Sequence, residues 1–330
     1  MQKSPLFSKL VLASAMAFLV AAPAHAEDVY PSKPITFIVP YAAGGSSDTR
    51  SRQLAQALGE RLNTTVVVEN KPGASGNIGT AQIARANPDG YTIGLGNFAP
   101  LSVNKTLYGS NLGFDPENGL APIVLIERGA MVLGVNQQSP YRDVDALVAA
   151  GKSDPKKLNF ASTGAGGASQ LITELFQDNA GFAATHIPYR GGAPAANDLM
   201  AGNVDFYLEL ASLFLPYTQG DNPRLRLLAI SADTRLQALP DVPTFKELGI
   251  DNMVASNWFG VIAPAGTAQA IIDKLNANIN EVLNDPAYRK IVEAQGAEVA
   301  GGSPQAFKTF IASESERWGA LIRDKGITIQ

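Results

Sequence analysis

One local pattern, present twice, restricts the possible fold more than any other feature of this chain: a short apolar run, a turn of small residues, then a stretch with helical spacing. VPYAAGGSSD ends the first copy at Asp48, and NFASTGAGGAS ends the second at Ser169. Glycine lets the backbone turn sharply from strand to helix. With side chains cleared away, the free N–H groups and the positive dipole end of each helix can approach an anion. Two such turns suggest two halves of one clamp around a small negatively charged ligand.

The flanking sequence indicates an α/β architecture. Ile35 to Val39, Thr65 to Glu69, Tyr91 to Leu95 and Pro122 to Ile126 read as buried parallel strands with helical segments between them, which places helices on both faces of a sheet. A second set of strands is expected at Met131 to Val135, Leu158 to Ala161, Ala184 to Ile187, Val204 to Leu208 and Leu225 to Ile230. The length exceeds that of a usual single core, so two lobes are expected. In the tail, Gly266-Thr267 reads as a capping position ahead of the helical run Ile271, Ile272, Leu275, Ile279 and Val282, which Asp285-Pro286 interrupts. Ser303-Pro304 opens another helix, whose Phe307, Phe310, Ile311, Trp318 and Leu321 share an apolar face assigned to packing.

Residues 1–26 read as a secretory signal. Lys3 and Lys9 precede the apolar run Leu10 to Ala22 and the small-residue site Ala24-His25-Ala26. The run is shorter than the roughly 18 to 20 residues that a membrane span requires. Removing the signal lowers the basic count from 26 to 24 against 30 acidic residues, a formal charge of −6. That balance, with basic residues scattered, is not that of a nucleic-acid binder. The chain has no cysteine, which excludes disulfides, thiolate catalysis and cysteine-ligated metals.

Seven segments in order resemble the extracytoplasmic solute-binding receptors of tripartite tricarboxylate transporters, the Bug receptors: Pro34 to Asp48, Val66 to Thr80, Asn87 to Gly96, Leu158 to Ser169, His186 to Gly192, Leu239 to Gly249 and Trp258 to Thr267. The resemblance implies a two-lobed periplasmic-binding-protein-like (Venus flytrap) α/β fold with a ligand cleft between the lobes. Lobe one would be 27–128 plus 232–330 and lobe two 129–231, with Gly129 and Ser231 near the crossings. It also implies a monomer without cofactor, in the periplasm, that delivers a small organic carboxylate to a two-component membrane permease.

In the first loop, Tyr41, Gly45, Ser46, Ser47 and Asp48 are the candidate ligand contacts. Asp48 reads either as a helix N-cap or as a partner for a ligand ammonium or ring nitrogen. The second loop, with Ser162, Thr163, Gly164 and Ser169, is richer in donors; its alternative is a flexible surface turn. Gln170 stands where family members frequently carry His. In a third turn the resemblance places Tyr189 and Gly191 at the cleft, while Arg190 could clamp a carboxylate or point to solvent. Asn97 and Phe98 follow a strand at its carboxyl end, where open α/β sheets hold ligands; Phe98 could stack on the ligand or lie in the core. Asp205 is ambiguous between a turn hydrogen bond and a ligand contact, and Glu209 is a weaker candidate for the same wall. The stretch Gly73 to Gly79 has the wrong glycine spacing for a dinucleotide site.

A secreted enzyme acting on a small carboxylate is the competing class. Beyond the signal the only histidine is His186, which reads as a satisfied core residue, and no hydrolase elbow or metal-binding His-Glu pair occurs in context. The two main loops contain no Arg or Lys before their helices begin, so neutral dipoles are expected to hold the ligand.

Overall fold

The computed structural model describes residues 30–218 and 220–328; the segment read as a signal peptide lies outside them. The chain begins with β1 (Ile35–Val39), α1 (Ser46–Leu62), β2 (Val66–Asn70), α2 (Asn77–Ala84), β3 (Thr92–Asn97), the short α3 (Asn104–Tyr108) and the long strand β4 (Leu120–Asn136). It continues through α4 (Val144–Ser153), β5 (Asn159–Ser162), α5 (Ala168–Ala180), β6 (Thr185–Pro188), α6 (Gly192–Ala201), β7 (Phe206–Leu210), α7 (Ala211–Phe214) and β8 (Leu225–Ile230). It then returns through β9 (Ser256–Pro264), α8 (Gln269–Asn284), α9 (Pro286–Ala294), β10 (Ala297–Val299) and α10 (Pro304–Lys325).

The strands form two ladders joined by one shared strand, the frame of a two-lobed α/β fold. In the first ladder β2, β1 and β3 are parallel, and β9 and β4 continue it antiparallel, with β10 on the other edge of β4. In the second, β6, β5 and β7 are parallel, and β7 and β8 flank the far end of β4. Strand β4 pairs with β9 as far as Ala130 and with β7 from Met131 onward.

This continuity corrects the sequence expectation of a parallel strand at Pro122 to Ile126 and a separate strand at Met131 to Val135: the two are one strand, antiparallel to its neighbours. The polar interruption Glu127-Arg128-Gly129 reads as a break, yet each residue has a place in the strand. Glu127 is buried in an ion pair with Arg50, Arg128 lies over the Phe310 ring, and Gly129 leaves room for Leu210, whose Cδ2 would be 2.2 Å from an added Cβ. Strand β9 lies outside the sequence expectations. It is buried along almost its whole length, so it shows no alternation to mark it.

Helical spacing accounts for the packing. In α1, Leu54, Leu58 and Leu62 recur every fourth residue and are buried, and the helix ends at Asn63 in the left-handed conformation, φ 49°. Ile272, Leu275, Ile279 and Val282 of α8 are buried in the same manner. Trp258, Phe307 and Trp318 form the aromatic centre of the first ladder's core, where Gly260 opens space for the Phe307 ring. Each such apolar side chain contributes about 1.5–3 kcal/mol through burial. The expected cap at Thr267 is absent: the cap position is Ala268, and the Thr267 hydroxyl instead donates to the Pro264 carbonyl.

Candidate functional site

The two glycine turns have the same geometry. Gly44 and Gly166 adopt φ of 84° and 78°, values that favour glycine, and the next residues, Gly45 and Gly167, are extended helix caps with φ of −83° and −72°. In each loop the side chain four residues after the first glycine reaches back to it. Asp48 Oδ2 accepts from Gly44 N–H at 2.9 Å, and Gln170 Oε1 accepts from Gly166 N–H at 2.6 Å. Gln170 thus repeats in the second loop what Asp48 does in the first.

Neither reading of Asp48 as N-cap or as ligand partner matches its position. It sits in the first helical turn, beyond the Gly45 cap, and its carboxylate is occupied by Gly44, Asn70 and Arg52. Burial opposes its charge, but the hydrogen bonds from Arg52, Gly44 and Asn70 prevail and hold its pKa below the usual value.

Three helix N-termini face the space between the ladders without a side-chain cap. Helices α1, α5 and α6 begin on Gly45, Gly167 and Gly191; α2, α3, α7 and α8 also lack a side-chain cap, whereas α4, α9 and α10 are capped by Asp143, Asp285 and Ser303. The first intrahelical bonds run from Thr49 N–H to Gly45 O and from Leu171 N–H to Gly167 O. The amides of Ser46, Ser47 and Asp48, and of Ala168, Ser169 and Gln170, therefore have no partner within their helices. The ends of α1 and α6 nearly touch: a Cβ on Gly45 would lie 3.5 Å from the Gly192 nitrogen. Gly191, at φ 143°, presses on Ala42, with an added Cβ 3.1 Å from the Ala42 nitrogen.

Other contacts cross the same space. Ser212 Oγ donates to Ser46 Oγ at 3.0 Å, and Ser75 Oγ donates to the Ala165 carbonyl. Gly164, at φ 136°, packs against Ser75. Tyr41 is buried and its hydroxyl donates to Asn97 Oδ1 at 3.0 Å; burial pushes the phenol pKa up. Behind the second loop, Ser162 Oγ lies 2.6 Å from His186 Nε2 and also bonds both backbone groups of Gly164. Thr163 N–H donates to Ser169 Oγ at 2.9 Å. These hydrogen bonds tie the second loop to β6 and to the first turn of α5. Burial lowers the His186 pKa to about 4, which keeps the ring neutral.

Tyr41, Gly45, Ser46, Asn97, Ser162, Thr163, Gly164, Ser169 and Gly191 thus belong to one neighbourhood, and Ser47 lies beside them in the first turn of α1. Three candidates are placed otherwise. The Phe98 ring is fully buried edge-to-face on Trp318, 4.9 Å between centroids, which is the core alternative. Asp205 accepts from Asn159 N–H at 2.7 Å. It sits where β5 and β7 begin, the end opposite Ser162. Tyr189 turns its hydroxyl onto Asp198 at 2.6 Å, so its side chain serves α6, although its N–H bonds Ser162 O. Arg190 is exposed.

Sequence reasoning missed Ser75, Asn104 and Ser212, which approach only through folding. Asn104 Nδ2 donates to Asn77 Oδ1, while its own Oδ1 is buried without a partner and would lie 3.1 Å from a Cβ on Gly166. The nearest available signal for Ser75 was its position in the glycine stretch Gly73 to Gly79, read only as structural.

Two ladders that share one strand, with uncapped helix ends between them, define a class: solute receptors of the two-lobed α/β type. Residues 51–327 match the model of the tripartite tricarboxylate transporter family receptors, and the chain belongs to that family. It is 39% identical to Protein BugT of Bordetella pertussis over 312 residues, 94% of either chain. The structure of the periplasmic binding protein BugD is similar with a TM-score of 0.85 and 34% identity, covering 91% of this chain and 100% of that one. Rpa4515 of R. palustris, solved with adipate, has a TM-score of 0.87 and 30% identity, covering 91% and 99%. The chain is therefore a transport receptor and not an enzyme.

Proposed function

We propose that the chain captures a small organic carboxylate in the periplasm and presents it to the membrane permease of a tripartite transporter, acting as a monomer. The observation that carries this reading is the set of three uncapped helix N-termini, from both ladders, with no cationic side chain in the two main loops and with Arg190 of the third turn exposed. A carboxylate placed there would complete the caps. Each helix end contributes about 0.3–1 kcal/mol and each hydrogen bond to a charged oxygen about 1.5–3 kcal/mol. Several together, less the cost of association, suffice for micromolar binding near 8 kcal/mol. The adipate in Rpa4515 is a ligand of the same chemistry.

The contacts made by Tyr41, Gly45, Ser46, Ser47, Ser162, Thr163, Gly164, Ser169 and Gly191 belong to this proposal, with Asp48 and Asn97 supporting their loops. So does a division into lobe one, 27–128 plus 232–330, and lobe two, 129–231. The change of partners along β4 and the bonds of Ser231 to Met131 and Ala255 support a hinge there. A ligand with higher affinity for the closed form shifts the equilibrium toward it.

A thermal-shift screen over mono-, di- and tricarboxylates tests the reading. A true ligand at a hundred times its Kd adds about 2.7 kcal/mol and raises the melting temperature by roughly 5 °C. If no carboxylate raises it, the reading is wrong.

A further inference from the structure

Glu209 lies at the carboxyl end of β7, next to α7, whose Ser212 reaches across to Ser46. It is 3% exposed. Its Oε2 accepts from the Tyr207 hydroxyl at 2.7 Å and its Oε1 from the Leu210 N–H at 2.9 Å. Tyr207 in turn lies near Ser169 of the second loop. No ion pair reaches Glu209 among the described residues: Arg50 is committed to Glu127 and Arg52 to Asp48. Its field also reaches Tyr41 on the opposite wall, where it adds to the effect of burial.

A buried carboxylate with neutral partners only is costly, and a ligand carboxylate closed in beside it raises the cost further. A carboxylate has about four acceptor positions, and two are filled here. The unpartnered Asn104 Oδ1 is a second acceptor left open where the halves meet. An anionic head group satisfies the helix ends but neither of these acceptors.

We propose that Glu209 makes the cleft selective for carboxylates that also carry an ammonium group, with the ligand carboxylate on the helix N-termini and its ammonium against Glu209. The proposal rests on the carboxylate reading of the cleft and specifies its substrate class: amino-bearing acids over their unsubstituted counterparts. Charge balance is the reason, since the zwitterion brings the cation that the protein does not place there.

Calorimetric titration of matched pairs, L-aspartate against succinate and L-2-aminoadipate against adipate, tests it. The amino member of the better-bound pair should bind at least about tenfold more tightly. In Glu209→Gln that preference should vanish, with the unsubstituted acid gaining affinity. The glutamine retains an acceptor for Leu210, and melting temperature verifies the fold; the wild-type ranking decides the matter even if the variant fails to fold. Succinate or adipate binding as well as its amino partner overturns the proposal. So does uptake of a proton on binding, read from buffers of different ionisation enthalpy, because Glu209 would then be neutralised by protonation. If a broad panel of carboxylates also fails to bind, the carboxylate reading falls with it.

Discussion

At the scale of single residues, the second loop depends on an uncharged imidazole. His186 stacks on Phe160 at 4.9 Å and binds Ser162, and burial lowers its pKa from 6.5 to about 4. A depressed pKa means that the unfolded chain takes up this proton first. The stability contributed by neutral His186 is therefore complete above about pH 6.5 and is lost as pH falls toward 4, at no more than about 1.4 kcal/mol per pH unit. Melting temperature followed from pH 7 to 4 should decline less in His186→Gln than in the native chain; parallel curves would exclude the imidazole as the cause. The sequence disclosed that this histidine was structural, because it stands alone in a strand-like segment. It did not disclose Ser162 as its partner, since that pairing requires β5 and β6 to lie side by side in register.

At the scale of elements, the open helix ends are where stability and binding pull apart. A further acid introduced into the first turn of α1 interacts with the positive end of the helix dipole and favours the helix by about 0.3–1 kcal/mol, while it repels an anionic guest. Ser46→Asp should therefore leave the ligand-free melting temperature unchanged or slightly raised and weaken carboxylate binding about tenfold or more. Retained affinity would remove the α1 terminus from the site.

These termini were legible because glycine at the strand-helix turn is a local signal. Position along a strand was less so. Asp205 was read beside Glu209 although β7 separates them, one at its entry and one near its exit. Phe98 follows a strand end as a ligand contact would, and only the arrival of Trp318 from α10, more than two hundred residues later, assigns its ring to the core. Strand β9 was hidden because burial on both faces removes the alternation that marks a strand.

At the scale of the whole molecule, the buried Arg50–Glu127 pair fastens α1 to the shared strand β4, and Gln295, just after α9, accepts from the same guanidinium at 2.8 Å. Glu127→Gln leaves that guanidinium buried without its counter-charge, which costs about 3–5 kcal/mol. Urea unfolding should show a lower midpoint with an unchanged slope; an unchanged midpoint would mean that the pair contributes nothing net.

Strand β4 itself has a mechanical consequence. Because one run of backbone, β4, is paired into both ladders, a cleft that opened between the proposed lobes would not let them slide past one another or drift apart. On the lobe division proposed above, the motion left to them would be torsion within a few peptide units near Gly129, with the returning chain bonded at Ser231 and Ala255 as a second crossing. On that proposal capture and release would differ by an angle, while every ladder on either side of the β4 axle would keep its rows of hydrogen bonds.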